Sequence, residues 1–182
     1  MVRHGKAAAG WNVDPDPGLD ETGRSQALAV ASRLSRLGPL PVASSPLLRC
    51  QQTAFPLATA WKCPVVVESK VGEIPSPTHH TVETRGEWLR DVMAGTWSDV
   101  VAHSGDRYAA YRSDIAAFIS GITTDTVVFS HFIAINAVVG AATNDDRVVI
   151  GHLDNCSVTV FDVGEGRLDL VEMGGEATTT IG

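Results

Sequence analysis

Apolar and polar positions along the 182-residue chain change period several times, and each change predicts an element. From Asp20 to Leu37 the apolar side chains Ala27, Val30, Ala31, Leu34 and Leu37 recur at helical spacing, while Arg24, Arg33 and Arg36 turn the other way, so this stretch predicts an amphipathic helix. Gly38-Pro39 ends it. The preceding stretch, Lys6 to Gly18, reads as a loop, because Asp14-Pro15-Asp16-Pro17-Gly18 interrupts any regular element. A short strand is predicted from Pro41 to Ser44. Ser45-Pro46 then places proline in the first turn of a helix running to about Trp61. Three successive valines between Pro64 and Glu68 predict a buried strand.

The middle of the chain is less regular. Gly72 to His80 holds two prolines and two adjacent histidines, and a helix is predicted over Thr81–Trp97 around Trp88, Leu89 and Val92. Another follows over Asp106–Ile119, with Tyr108, Tyr111, Ile115 and Phe118 on one face. Thr126 to Ser130 reads as a strand with His131 at its C-terminal end, and Ile133 to Ala142 as a helix. Two closing strands, Ser157–Val163 and Arg167–Met173, are joined by the hairpin-type turn Gly164-Glu165-Gly166. Alternating strands and helices imply an α/β fold of one domain over residues 1–182, a three-layer sandwich with a mostly parallel central sheet and helices on both faces. In such sheets ligands bind beyond the carboxyl ends of the strands.

Composition narrows the function. With 14 basic and 21 acidic side chains the formal charge is −7, which argues against a broad basic surface for nucleic acid but leaves room for a small cationic pocket. Cys50, Cys63 and Cys156 are odd in number and form no CxxC pair, so neither a disulfide scaffold nor a four-cysteine zinc site is expected. No apolar run reaches the roughly 18–20 residues a membrane span needs. The opening Met-Val-Arg-His-Gly lacks the apolar stretch of a signal peptide, so a cytoplasmic location is expected.

Polar residues gather at three expected strand ends: Arg3-His4-Gly5, Ser44-Ser45-Pro46 with Arg49, and Ser130-His131. Taken singly, each has a plainer reading: a solvated histidine, a surface arginine, a hydrogen-bonded core imidazole. Together they describe two guanidiniums and two imidazoles in one pocket, a cluster that repels itself unless an anion occupies it. A tetrahedral phosphoryl group fits that pocket, because arginine offers bidentate donors and histidine can act as a nucleophile. Gly5 would let the backbone approach a substrate.

The same residues resemble the histidine phosphatase superfamily, the phosphoglycerate-mutase-like fold. Arg3-His4-Gly5 matches its N-terminal signature. Leu19, Gly23, Gln26 and Ala27 are similar to its first-helix motif, and Ala43-Ser44-Ser45-Pro46-Leu47 with Arg49, Thr53 and Ala54 to its second-arginine segment. Val127-Val128-Phe129-Ser130-His131 resembles the strand carrying the second histidine. The resemblance implies that His4 is the nucleophile and becomes a phosphohistidine, and that Arg3, Arg49 and His131 hold the equatorial oxygens. It implies that Glu73, after the third strand, is the proton donor, against the alternative of a solvated loop glutamate. Glu83, Glu87 and Glu68 are its weaker competitors. It also implies a cap over the pocket, residues about 72–105, from which His79, His80 and Arg85 meet the non-phosphate part of the substrate. Asn12 is similar to a phosphate-contacting asparagine of the family's mutases, at a spacing longer by two residues.

The chain departs from the family pattern in three places: only Met1 and Val2 precede the signature, Ala7 stands where mutases often carry a hydroxyl, and Asp20 replaces a common threonine. These departures, with the short chain, favour a phosphatase acting on a phosphomonoester over a phosphoglycerate-type mutase. A non-catalytic phospholigand-binding module is the alternative from another class. No cofactor and no metal are expected, since adjacent His79 and His80 lack the i, i+4 spacing of a helical metal pair. The expected partner is a small phosphorylated substrate or a phosphoprotein, with the oligomeric state open.

Overall fold

The computed structural model describes residues 1–10, 13–77, 82–164 and 166–175. Four short strands, β1 (Val2–Arg3), β2 (Val42–Ser44), β3 (Val65–Val67) and β4 (Val127–Ser130), form a parallel sheet in the order β1-β4-β2-β3. Residues on its two faces alternate. Val42, Val127 and Phe129 pack with α1 (Glu21–Leu34) and α2 (Leu48–Trp61), in a core that includes Val30, Leu34, Ala54 and Leu57. Ala43 and Val128 face the larger core built from α3 (Val82–Ala94), α4 (Trp97–Ser104), α5 (Arg107–Ser120) and α6 (Phe132–Thr143). The expected three-layer α/β sandwich is therefore present. The hairpin β5 (Val160–Gly164) and β6 (Arg167–Glu172) is a separate antiparallel sheet, tied to β1 by the bridge between Val2 and Val158. Among the described residues no helix is long and apolar enough to cross a membrane.

Several boundaries differ from expectation for identifiable reasons. The first helix begins after Asp20, whose carboxylate accepts from Gly23 N–H at 2.7 Å, and its last expected turn, Ser35–Leu37, tightens to a 3-10 turn that leaves Leu37 exposed. Pro46 lies ahead of α2, not in its first turn, because Ser45 N–H is still bonded to the sheet at Phe129. That helix start is met from the loop instead, where Asp16 accepts from Leu48 N–H at 2.8 Å. The valine strand β3 is an edge strand with Val66 and Val67 more than half exposed, which corrects the expectation of burial.

The single helix expected over Thr81–Trp97 is two. Gly95 and Thr96 break it, and Trp97 heads α4 behind a capping box in which Thr96 and Asp99 satisfy each other's backbone N–H. Trp88 and Trp97 are both buried in the larger core.

Candidate active site

The carboxyl ends of β1, β2 and β4 converge, as parallel-sheet geometry requires, and carry Arg3-His4, Ser44-Ser45 and Ser130-His131 to one place. Arg49, on the first turn of α2, completes the cluster. Arg3, His4, Arg49 and His131 are all buried. The His4 and His131 ring centroids are 5.3 Å apart, edge to face.

The hydrogen bonds assign the His4 tautomer. Nδ1 lies 2.7 Å from the Gly5 carbonyl, which only accepts, so Nδ1 carries the proton. Nε2 then offers its lone pair and receives the Arg49 Nε–H at 3.2 Å. Burial first, then the Arg49 charge, lowers the His4 pKa to about 3, so the ring is neutral at physiological pH. His131 is likewise held well below the ordinary imidazole range by burial and by the neighbouring His4 and Arg49. Its Nδ1 faces Arg49 Nη2 at 3.2 Å and its Nε2 faces Ser45 Oγ at 2.7 Å. Arg49 thus joins both rings through two edges of one guanidinium.

Glu73 is not a solvated loop residue: its side chain is only 7% exposed, and its Oε2 stands 3.6 Å from Arg49 Nη2 and 3.5 Å from His131 Nδ1. With His131 neutral, the second contact is not an ion pair. The segment bearing Glu73 has no strand of its own. Ser130 Oγ bonds the Val71 carbonyl at 2.7 Å, Tyr111 Oη the Gly72 carbonyl at 3.1 Å, and Tyr108 Oη the Pro75 carbonyl at 3.0 Å. Arg85, half-buried on α3, reaches the same segment through Ser76 Oγ and the Ile74 carbonyl. Burial lowers its pKa, opposed by the Glu73 charge. The competitor Glu68 caps the turn after β3 by accepting from Lys70 N–H, and Glu87 is exposed on α3. Asn12, His79 and His80 lie outside the described residues.

Gly5 also meets a close backbone approach within the fold. A Cβ there would stand 2.7 Å from the Gly23 carbonyl oxygen, and one at Gly23 only 2.1 Å from that of Lys6. The two backbones therefore pass in contact, and Thr53 Oγ1 accepts the Gly5 N–H at 3.0 Å while donating to the Arg49 carbonyl at 2.6 Å.

Sequence reasoning missed the loop from Leu153 to Ser157. It holds Arg3 on three sides: Ser157 accepts the Arg3 N–H at 3.1 Å, Cys156 N–H donates to the Arg3 carbonyl at 3.0 Å, and Leu153 accepts from Arg3 Nη1 at 2.5 Å. Asn155 Nδ2 donates to the His4 carbonyl at 2.9 Å. Cys156 sits at φ +57°, a left-handed conformation that costs energy in a non-glycine residue and here serves this clamp. Arg3 Nε is buried without a hydrogen-bond partner, and its guanidinium lies 5.1 Å over the Phe132 ring. Among the described residues no group of three or more His, Cys, Asp or Glu could hold a metal ion.

The family model of the histidine phosphatase superfamily (branch 1) matches residues 1–175, and the chain belongs to that superfamily. Curated relatives include the probable phosphoglycerate mutase GpmB of Escherichia coli, 31% identical over 108 residues, an alignment covering 53% of this chain and 49% of the relative. The chain thus spans about half the length of the curated relatives it matches. Among solved structures, a mycobacterial glucosyl-3-phosphoglycerate phosphatase in complex with VO3 is 24% identical with a TM-score of 0.66, covering 95% of this chain and 96% of that one. A phosphoserine phosphatase from Entamoeba histolytica in complex with 3-phosphoglyceric acid is 20% identical with a TM-score of 0.72, covering 97% and 95%. At these identities the structures share the fold.

Proposed function

We propose that the chain is a phosphatase that hydrolyses a small phosphomonoester through a phosphohistidine on His4. The observation that carries this reading is the pinned tautomer: Nδ1 is bound to the Gly5 carbonyl, and Nε2 is left unprotonated at the centre of the cationic cluster, its lone pair held by the Arg49 Nε–H. In the first step that lone pair forms a bond to phosphorus as the bond to the leaving oxygen breaks, and Glu73 gives the leaving oxygen its proton. Arg49 exchanges its bonds to the two imidazoles for bonds to phosphoryl oxygens, and Arg3 and His131 take the others, so side chains supply the charge that stabilises the transition state. In the second step water attacks phosphorus, Glu73 takes back a proton, and inorganic phosphate leaves His4 neutral again.

The substrate we favour is a phosphorylated metabolite of modest size. The names of the structural neighbours support this, as they are phosphatases of glucosyl-3-phosphoglycerate and phosphoserine. Residues 72–105 are read as the cap of a single domain, and the bonds of Arg85 to the segment following Glu73 support a role for it against the non-phosphate part. Gly5, Asn12, His79 and His80 are assigned to the same substrate surface. A mutase is the second reading, favoured by the name of the curated relatives.

The test is hydrolysis of p-nitrophenyl phosphate from pH 5 to 8 in EDTA, by the wild type and by His4→Ala. Activity that persists in EDTA and disappears in the variant supports the phosphohistidine route; equal activity in both overturns it. With 3-phosphoglycerate, release of inorganic phosphate marks the phosphatase, and its isomerisation without release marks the mutase.

A further inference from the structure

Ser45 follows β2 directly with no solvent exposure, and its Oγ lies 2.7 Å from Nε2 of the equally buried His131. Among the described residues the other neighbour of Nε2 is Cys50 Sγ at 3.4 Å, a weak hydrogen-bonding partner. On the opposite edge of the ring, Nδ1 faces Arg49 Nη2 at 3.2 Å and Glu73 Oε2 at 3.5 Å. Arginine only donates, so toward Arg49 the ring must accept at Nδ1 and carry its proton on Nε2, where Ser45 Oγ receives it. A phosphoryl oxygen only accepts. To hold one, a neutral His131 must move its proton to Nδ1, which leaves a bare lone pair at Nε2 in a site closed to water. Such a lone pair is costly unless a donor meets it.

A hydroxyl can make that change, because it donates as readily as it accepts. Ser45 Oγ is anchored by Leu47 N–H at 3.3 Å and faces His131 Nε2, to which its own proton can turn. We propose that Ser45 is a positioning residue for His131, whose hydroxyl donates to Nε2 and so selects the Nδ1–H tautomer that grips a phosphoryl oxygen. The inference rests on the phosphoryl-transfer reading of the site. Protonating the ring outright is the rival route, and its surroundings oppose it. The charged and titratable groups facing His131 are Arg3 at the end of β1 and His4 after it, Arg49 and Cys50 on α2, Glu73, and Arg85 on α3; burial and the cationic members keep the ring neutral.

Two measurements test it. In protein labelled with nitrogen-15 histidine, NMR reads which ring nitrogen of His131 carries the proton with and without inorganic phosphate. Movement of the proton from Nε2 to Nδ1 on adding phosphate is expected; a proton that stays on Nε2, or a ring unchanged by phosphate, overturns the proposal. With p-nitrophenyl phosphate, Ser45→Ala is expected to lower kcat by roughly 10- to 100-fold with little change in KM, the effect of one buried polar group left unpaired in the transition state. Ser45→Thr, which keeps the hydroxyl, is expected to restore most of the rate. An unchanged kcat in Ser45→Ala overturns the proposal, as does a variant that loses only thermal stability. If the wild type hydrolyses no phosphomonoester, the phosphatase reading fails while the nitrogen spectrum still decides the role of Ser45.

Discussion

Acidification from pH 7 to pH 5 is expected to destabilise the fold through its two buried imidazoles. In the folded chain His4 titrates near pH 3 and His131 well below the ordinary value, both chiefly because burial disfavours the charged form. The unfolded chain protonates both as pH falls through about 6.5. Below that value the unfolded state therefore binds more protons, and stability falls with pH until the folded pKa is reached. Each histidine contributes a slope of about 1.4 kcal/mol per pH unit, or about 2 kcal/mol between pH 6.5 and 5, a large share of a typical 5–15 kcal/mol stability. The carboxylates of Asp20, Asp99, Asp145 and Asp146 are held below their ordinary value by hydrogen bonds and neighbouring cations, so the stability they add is lost only at more acid pH. The assay is urea unfolding of the wild type and of His4→Gln at half-unit steps from pH 5 to 7. The variant should show a shallower dependence by about 1.4 kcal/mol per unit, since the uncoupled groups cancel in the difference and burial, the largest cause of the low His131 pKa, persists without His4. A wild-type stability that is flat across this window, or equal slopes in the two proteins, would refute the reasoning.

Other substitutions test separate parts of the site. Glu73→Gln should slow hydrolysis of an alkyl phosphate by about 100-fold and of p-nitrophenyl phosphate far less, because only the poor leaving group needs its proton; equal losses on both substrates would remove Glu73 as the donor. Arg49→Lys keeps the charge but cannot reach His4 Nε2 and His131 Nδ1 with one fork, and kcat should fall by at least about 100-fold with the fold intact by circular dichroism. Gly23→Ala would set a Cβ 2.1 Å from the Lys6 carbonyl oxygen, and a loss of about 1–3 kcal/mol or more is expected in urea unfolding.

The four clustered residues Arg3, His4, Arg49 and His131 were legible because each sits beside a local signal: a strand end, a proline-marked helix start, or an apolar run closed by histidine. Glu73 could be placed only by resemblance, since its pocket-facing orientation comes from hydroxyls on β4 and α5 that are distant in sequence. The edge position of β3 could not be read from three valines, because burial depends on strand order and the order β1-β4-β2-β3 is not sequential. The Thr96–Asp99 capping box was readable and would have divided the middle helix correctly. Asn155 gave no usable signal: a single amide in a short turn acquires meaning only when the chain returns to β1.

That return bears on how the site comes into being. Arg3 and His4 are synthesised about 150 residues before Leu153, Asn155 and Ser157, which hold their backbone and side chain. Loop closure over such a separation is slow, and nascent domains complete their long-range contacts only after the distant partner emerges. A nascent chain that has reached only α6 carries Arg3, His4, Arg49 and His131 but lacks the loop that holds the first two. Fixing Arg3 and His4 in place therefore waits until Leu153 to Ser157 has been made, about 150 residues after they are.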